Sequence, residues 1–179
     1  MLFRSTGATK VEMNFTITQL QDGTFQYGIN GKPHWATKPF VAKLGETQIW
    51  KLVNKTPWSH PFHLHGYFFQ VVDEQGRPVG PNAYKDTLNI PMKTTARLLV
   101  TFDDRPGQWM FHCHILDHAE GGLMGTVAVG DIDVKGHEVE VVAKRADALA
   151  FFFMRVFVVC IFVSKDTLSK FRRTEKVEL

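Results

Sequence analysis

Seven consecutive residues, His112-Cys113-His114-Ile115-Leu116-Asp117-His118, carry three imidazoles and a thiol at a spacing that suits metal chemistry. Side chains on an extended strand alternate between its two faces. Cys113 therefore points one way while His112 and His114 point the other. A metal held by the Cys113 sulfur would be joined through a few covalent bonds to a cluster held by the flanking imidazoles, a short path for single electrons. His118 returns five residues after Cys113, far enough for the chain to turn and meet the sulfur again. A thiolate with two imidazoles in a trigonal site is the donor set that selects copper and makes an electron-transfer centre.

The second imidazole is expected upstream, in His60-Pro61-Phe62-His63-Leu64-His65-Gly66. His63 and His65 are two apart, so on a strand they share a face and could serve the same cluster as His112 and His114. His60 precedes Pro61, which biases it to an extended or turn conformation and leaves it free to point elsewhere. His60, Cys113 and His118 would then hold a mononuclear copper, and His63, His65, His112 and His114 half of a multinuclear one. Six of the eight histidines fall in these two motifs, which chance does not readily produce. The other two, His34 and His137, read as ordinary surface or hydrogen-bonded residues. Zinc also takes nitrogen and sulfur ligands and is the competing reading, but structural zinc sites draw two ligands from one short knuckle and close a tetrahedron. Neighbouring ligands on opposite faces of a strand suit two metal centres instead.

The motifs HPFHLHG and HCHILDHAEGGLM closely resemble the copper-binding signatures of the multicopper oxidases (laccases, bilirubin oxidases and cuprous oxidases), in particular those of the last cupredoxin domain. The resemblance runs from about Met13 to about Gly130 and includes Lys85-Asp86-Thr87 and Pro106-Gly107-Gln108-Trp109. It implies that His60, Cys113 and His118 are type 1 copper ligands, His63 a type 2 ligand, and His65, His112 and His114 type 3 ligands. It places the axial position of the type 1 site ten residues after the cysteine, at Leu123, a non-coordinating side chain. Met124 is the alternative if Gly121-Gly122 lets the loop slip. Some bacterial relatives place an acid directly after the residue matching His118. Here Ala119 stands there, and Glu120, next along, is the proton-relay candidate.

The implied reaction takes single electrons from a reducing substrate (phenols, aromatic amines or metal ions) at type 1 copper, near the edge of His118 or His60. It passes them along the Cys113-His112 and Cys113-His114 path to a trinuclear cluster that reduces dioxygen to water. The family completes that cluster with further His-X-His pairs from its first cupredoxin domain, and this chain has none. A missing cupredoxin domain or another subunit is therefore an expected partner, and the chain reads as the C-terminal domain of a laccase-like oxidase. A stand-alone blue-copper electron carrier and an inactive remnant are the alternatives.

Composition is that of a globular protein: 179 residues, 44% hydrophobic, 22% charged, with a formal net charge of only +3, so nucleic acid is not an expected partner. Cys113 and Cys160 make no disulfide framework. Residues 1–7 lack the apolar core and cleavage pattern of a signal peptide, although the resemblance implies a periplasmic or secreted location. Short apolar and β-branched segments at 11–20, 47–53, 67–72, 95–102, 109–113 and 123–129, separated by turn residues, predict an all-β antiparallel sandwich, which the resemblance sharpens to a cupredoxin-like Greek-key barrel. That domain is expected at 11–143. Residues 144–179 form a tail, apolar over 148–163 with Arg155 near the middle, whose structure the sequence leaves open among a docked element, a membrane or partner contact and a non-native terminus.

Overall fold

A computed structural model describes residues 7–80 and 84–132. His137 and the tail expected at 144–179, with its apolar stretch and Cys160, lie outside the described residues. Ten strands make two five-stranded sheets: β1 (Thr9–Gln19), β2 (Phe25–Ile29), β3 (Phe40–Ala42), β4 (Glu46–Asn54), β5 (His60–Leu64), β6 (Phe69–Val71), β7 (Thr87–Ile90), β8 (Thr95–Phe102), β9 (Gly107–Cys113) and β10 (Met124–Val129). The first sheet runs β2-β1-β4-β8-β6 and the second β3-β10-β9-β5-β7. One short helix, α1 (Leu116–Glu120), interrupts the strands between β9 and β10.

The all-β sandwich matches the expectation, but its strands are not all antiparallel. β1 pairs with β4, and β3 with β10, in parallel. Parallel neighbours need a long crossover, and the chain supplies one by leaving the first sheet through β3 and returning as β4 beside β1. The strands at 25–29, 40–42 and 87–90 are absent from the sequence reading, although Phe25, Tyr27 and Ile29, and Leu88 and Ile90, do alternate with polar or small residues. The segment expected at 67–72 forms a strand only over Phe69–Val71.

Burial follows side-chain alternation. Met13 and Phe15 of β1, Trp50 and Leu52 of β4, Leu98, Val100 and Phe102 of β8, Phe62 and Leu64 of β5 and Phe111 of β9 all enter one core between the sheets. Aromatic rings fill its centre, with Trp50 5.3 Å from Phe111 and 6.4 Å from Phe62, and Phe62 5.7 Å from Phe111. Rings at such separations add about 0.5–1.5 kcal/mol per pair beyond the area they bury. Because Phe62 and Phe111 belong to β5 and β9, their burial fixes which face of each strand looks inward. The face of every neighbouring histidine is thereby set as well.

Candidate metal centre

β5 and β9 lie side by side, antiparallel, with Phe62 opposite Cys113, His63 opposite His112 and Leu64 opposite Phe111. On the inner face, His60 is fully buried and Cys113 is 3% exposed. On the outer face, His63 and His112 are half-buried partners across the ladder, flanked by Thr87 of β7 and Met124 of β10 at the same level. One strand pair in one register therefore sorts the histidines of both motifs onto two sides of a single sheet.

The inner group is closed by α1. The chain leaves β9 at Cys113, turns into α1, and brings His118 back against the sulfur. His60 Nδ1 lies 3.6 Å and His118 Nδ1 3.8 Å from Cys113 Sγ, and the two nitrogens are 3.1 Å apart. Donors at roughly 2.0–2.3 Å from a shared centre would show separations of this order. No carboxylate belongs to the group, whose soft sulfur and two imidazoles suit copper better than a hard cation.

Hydrogen bonds decide which nitrogen of each ring is available. His60 Nε2 lies 2.7 Å from Thr56 Oγ1, and Thr56 donates its own hydroxyl hydrogen to Asn54 Oδ1 at 2.8 Å. Asn54 is in turn oriented by donating Nδ2 to the carbonyls of Trp58, Ile90 and Pro91 at 2.7–3.1 Å. With its hydrogen committed to Asn54, Thr56 accepts from His60 Nε2–H, and the lone pair of His60 stays on Nδ1, aimed at Cys113. Asn54 and Thr56 are both buried. The sequence reading missed them. The one local signal is that they stand six and four residues before His60, at the end of β4 and in the turn that follows.

The outer group forms by the same logic. His63 Nδ1 donates to the Asp86 carbonyl at 3.0 Å, with Thr87 Oγ1 at 2.9 Å, and His112 Nδ1 donates to the Cys113 carbonyl at 2.9 Å. Both Nε2 atoms are thereby left as acceptors. His65 follows β5 at the turn made by Gly66, whose φ of +75° favours glycine. A Cβ on Gly66 would sit 2.2 Å from the Trp109 ring. His65 Nε2 reaches within 3.0 Å of His112 Nε2, and the ligating atoms of His63, His65 and His112 all lie within 4.8 Å of one another. The exposed His114 adds a fourth ring, 5.3 Å from His63 and 5.5 Å from His112.

Burial holds His60 down to about 4, with the neighbouring His118 adding to the effect. It does the same for His65, also to about 4, helped by His63, His112 and His114. Burial likewise lowers His112 and His118 and raises the Cys113 thiol, so a metal entering the inner group must displace a thiol proton.

Leu123 is 2% exposed and lines the same buried space as His60 and Cys113, while its carbonyl accepts the Cys113 N–H at 3.0 Å. Met124 stands opposite His112 on the outer side. Glu120 ends α1, half-buried, and its carboxylate forms no hydrogen bond or ion pair with another described residue. Any proton it delivered would travel through water. His34 lies in a short 3-10 turn, His34–Ala36, apart from both groups.

A family model described as multicopper oxidase matches residues 7–133. The chain belongs to the multicopper oxidase family. It is 34% identical over 113 residues to a laccase of Haloferax volcanii, covering 60% of this chain and 20% of that protein. It is 35% identical over 105 residues to copper resistance protein A of Escherichia coli, covering 59% and 17%. The McoA multicopper oxidase of Aquifex aeolicus superposes with a TM-score of 0.62 at 25% identity, over 73% of this chain and 31% of that one. A laccase of Pediococcus acidilactici does so with 0.60 at 30%, over 73% and 29%. The sandwich is thus the cupredoxin fold of this family, and the chain spans about a fifth of the length of the curated relatives it matches.

Two outcomes follow. Thr56→Val removes the acceptor for His60 Nε2–H and should weaken copper binding about tenfold to a hundredfold, whereas Thr56→Ser should restore it. Competition with a chelator measures both, and equal affinity in all three chains would contradict the tautomer lock. In the metal-free protein, His60 and His65 bind protons near pH 4 when folded and near 6.5 when unfolded. The unfolded chain therefore holds more protons between those values, so folding stability should be complete above about pH 6.5 and fall as pH drops toward about 4. Urea unfolding across that window checks this, and a midpoint independent of pH would contradict it.

Proposed function

We propose that this chain is the C-terminal copper domain of a laccase-like multicopper oxidase. It holds type 1 copper on the inner face of its second sheet and half of a trinuclear cluster on the outer face. The observation that carries the reading is the placement of two donor groups on opposite faces of β9, joined through Cys113 and its covalent neighbours His112 and His114. When bound, copper supplies redox chemistry, moving between Cu(II) and Cu(I) one electron at a time.

The residues supply placement. Cys113 gives the sulfur and the start of a covalent path, and His60 and His118 complete the inner donor set. Leu123 lines the buried space beside His60 and Cys113 and would offer the metal no donor atom. The buried surroundings exclude water from the sulfur, while the Asp86 carbonyl, Thr87 and the Cys113 carbonyl orient His63 and His112.

Beyond these histidines the chain has only His34 and His137, so the rest of a trinuclear cluster would come from another cupredoxin domain or subunit. The small share of each relative that the chain covers agrees with this. Reducing substrate, dioxygen and a periplasmic or secreted location belong to the same reading. An electron carrier built on the inner group alone, or an inactive remnant, would leave four outer imidazoles without a task.

In the copper-loaded chain, Cys113→Ser should reduce the intense blue absorption to background while the far-ultraviolet signature of the β sandwich persists. The chain alone should couple little phenol oxidation to dioxygen uptake. A blue band surviving in Cys113→Ser, or fast turnover by a demonstrated monomer, would contradict the reading.

A further inference from the structure

His63 and His112 are held from two directions, by pairing in the ladder between β5 and β9 and by a hydrogen bond from Nδ1 of each ring to a backbone carbonyl. His65 has only the edge of the first hold and none of the second. It stands one residue past the end of β5, where its backbone N–H reaches the Met110 carbonyl of β9 at 2.9 Å. Its ring makes no hydrogen bond among the described residues except the contact between its Nε2 and that of His112. The direction of the His65 side chain is therefore decided by the turn that follows, at Gly66 and Tyr67.

That turn is stapled to the loop between β8 and β9 through one residue, Arg105. The Arg105 guanidinium donates to the Gly66 carbonyl and lies 5.8 Å over the Tyr67 ring. In return the Arg105 carbonyl accepts from the Tyr67 hydroxyl and, at 2.9 Å, from the Trp109 indole N–H. Tyr67 is buried, 4.9 Å from Phe102 and 5.7 Å from Trp109, and gives the staple a fixed base in the core. Trp109 closes the other side, because its ring leaves no room for a Cβ on Gly66. A guanidinium suits this place, since its planar fork can donate to a carbonyl while its face lies on an aromatic ring. The contacts to the Arg105 carbonyl would survive a change of side chain there. Those to Gly66 and to the face of Tyr67 would not.

We infer that Arg105 is a positioning residue for His65: by holding the Gly66 carbonyl beside Tyr67, it fixes the turn that carries the His65 imidazole to His112. What the outer group would hold rests on the copper reading above, whereas the placement of the ring belongs to the metal-free chain. No hydrogen bond or ring contact joins Arg105 to a histidine of the group among the described residues. Its charge alone would act in the opposite sense, since a cation near the outer group disfavours a second cation there. Removing the guanidinium should therefore weaken metal binding if Arg105 positions His65, and strengthen it if only its charge matters.

The test compares the native chain with Arg105→Met, which keeps the apolar stem, and Arg105→Lys, which keeps a charged donor. In the metal-free chain, nuclear Overhauser cross-peaks between imidazoles report three ring pairs of similar separation: His65 and His112 at 5.1 Å, His63 and His112 at 5.5 Å, and His60 and His118 at 4.9 Å. Arg105→Met should lose most of the first peak and keep the other two, and Arg105→Lys should recover most of the loss. In the copper-loaded chain, Arg105→Met should leave the blue band of the inner group unchanged. Its affinity for a second copper, read from the non-blue paramagnetic signal, should fall about threefold or more, a smaller loss than for a residue bonded directly to a ligand. An undiminished peak between His65 and His112 in Arg105→Met would overturn the proposal. So would an equal loss of all three peaks, or tighter binding of the second copper. If neither group takes up copper, the copper reading fails, and the ring-pair peaks still decide whether Arg105 positions His65.

Discussion

The register between β5 and β9 is the constraint on which both donor groups depend. Strand side chains alternate with a period of two, so a slip of one residue would exchange the inner and outer sets. Phe62 and Phe111 prevent that slip. Both are fully or almost fully buried against Trp50, and neither could turn outward without emptying the centre of the core. Removing such a ring from a core costs about 3–5 kcal/mol. Hydrophobic packing with no chemistry of its own thus decides that Cys113 faces His60 and that His112 faces His63.

Within that frame, hydrogen bonds do the finer work. Carbonyl oxygens can only accept, so a histidine nitrogen next to one must carry the hydrogen and the opposite nitrogen keeps the lone pair. The Asp86 and Cys113 carbonyls impose this on His63 and His112. Asn54 and Thr56 impose the reverse choice on His60. The inner group therefore presents Nδ1 donors, and the outer group presents Nε2 from His63, His65 and His112. Burial holds His60 and His65 neutral well below the usual histidine range, which keeps their lone pairs available in mildly acidic conditions.

How much of this was legible before folding differs by residue. The placement of Cys113 against His112 follows from strand alternation alone, and the segment at 95–102 is a strand with those bounds. The resemblance singled out Leu123 over Met124; Leu123 lines the buried space beside Cys113, and the ladder that sets Met124 opposite His112 turns Met124 outward. Asn54, Thr56, Tyr67 and Arg105 were not legible, because nothing in a polar or aromatic residue announces a partner that only a turn or a second strand brings near. Short edge strands such as Phe40–Ala42 were also missed. They are specified by pairing with β10, and three residues carry no periodicity. The parallel pairs escaped for a related reason, since strand direction depends on crossovers between sheets.

The separation of the two donor groups by one strand can be tested most directly by spectroscopy on face-selective variants. Copper content, the blue absorption and the electron paramagnetic resonance spectrum would be compared in the native chain, in the outer-face double variant His63→Ala with His65→Ala, and in the inner-face variant His60→Ala. The account predicts that the outer variant keeps the blue band and its narrow hyperfine splitting, whereas the inner variant loses both. A blue centre abolished by the outer substitutions, or retained without His60, would contradict it.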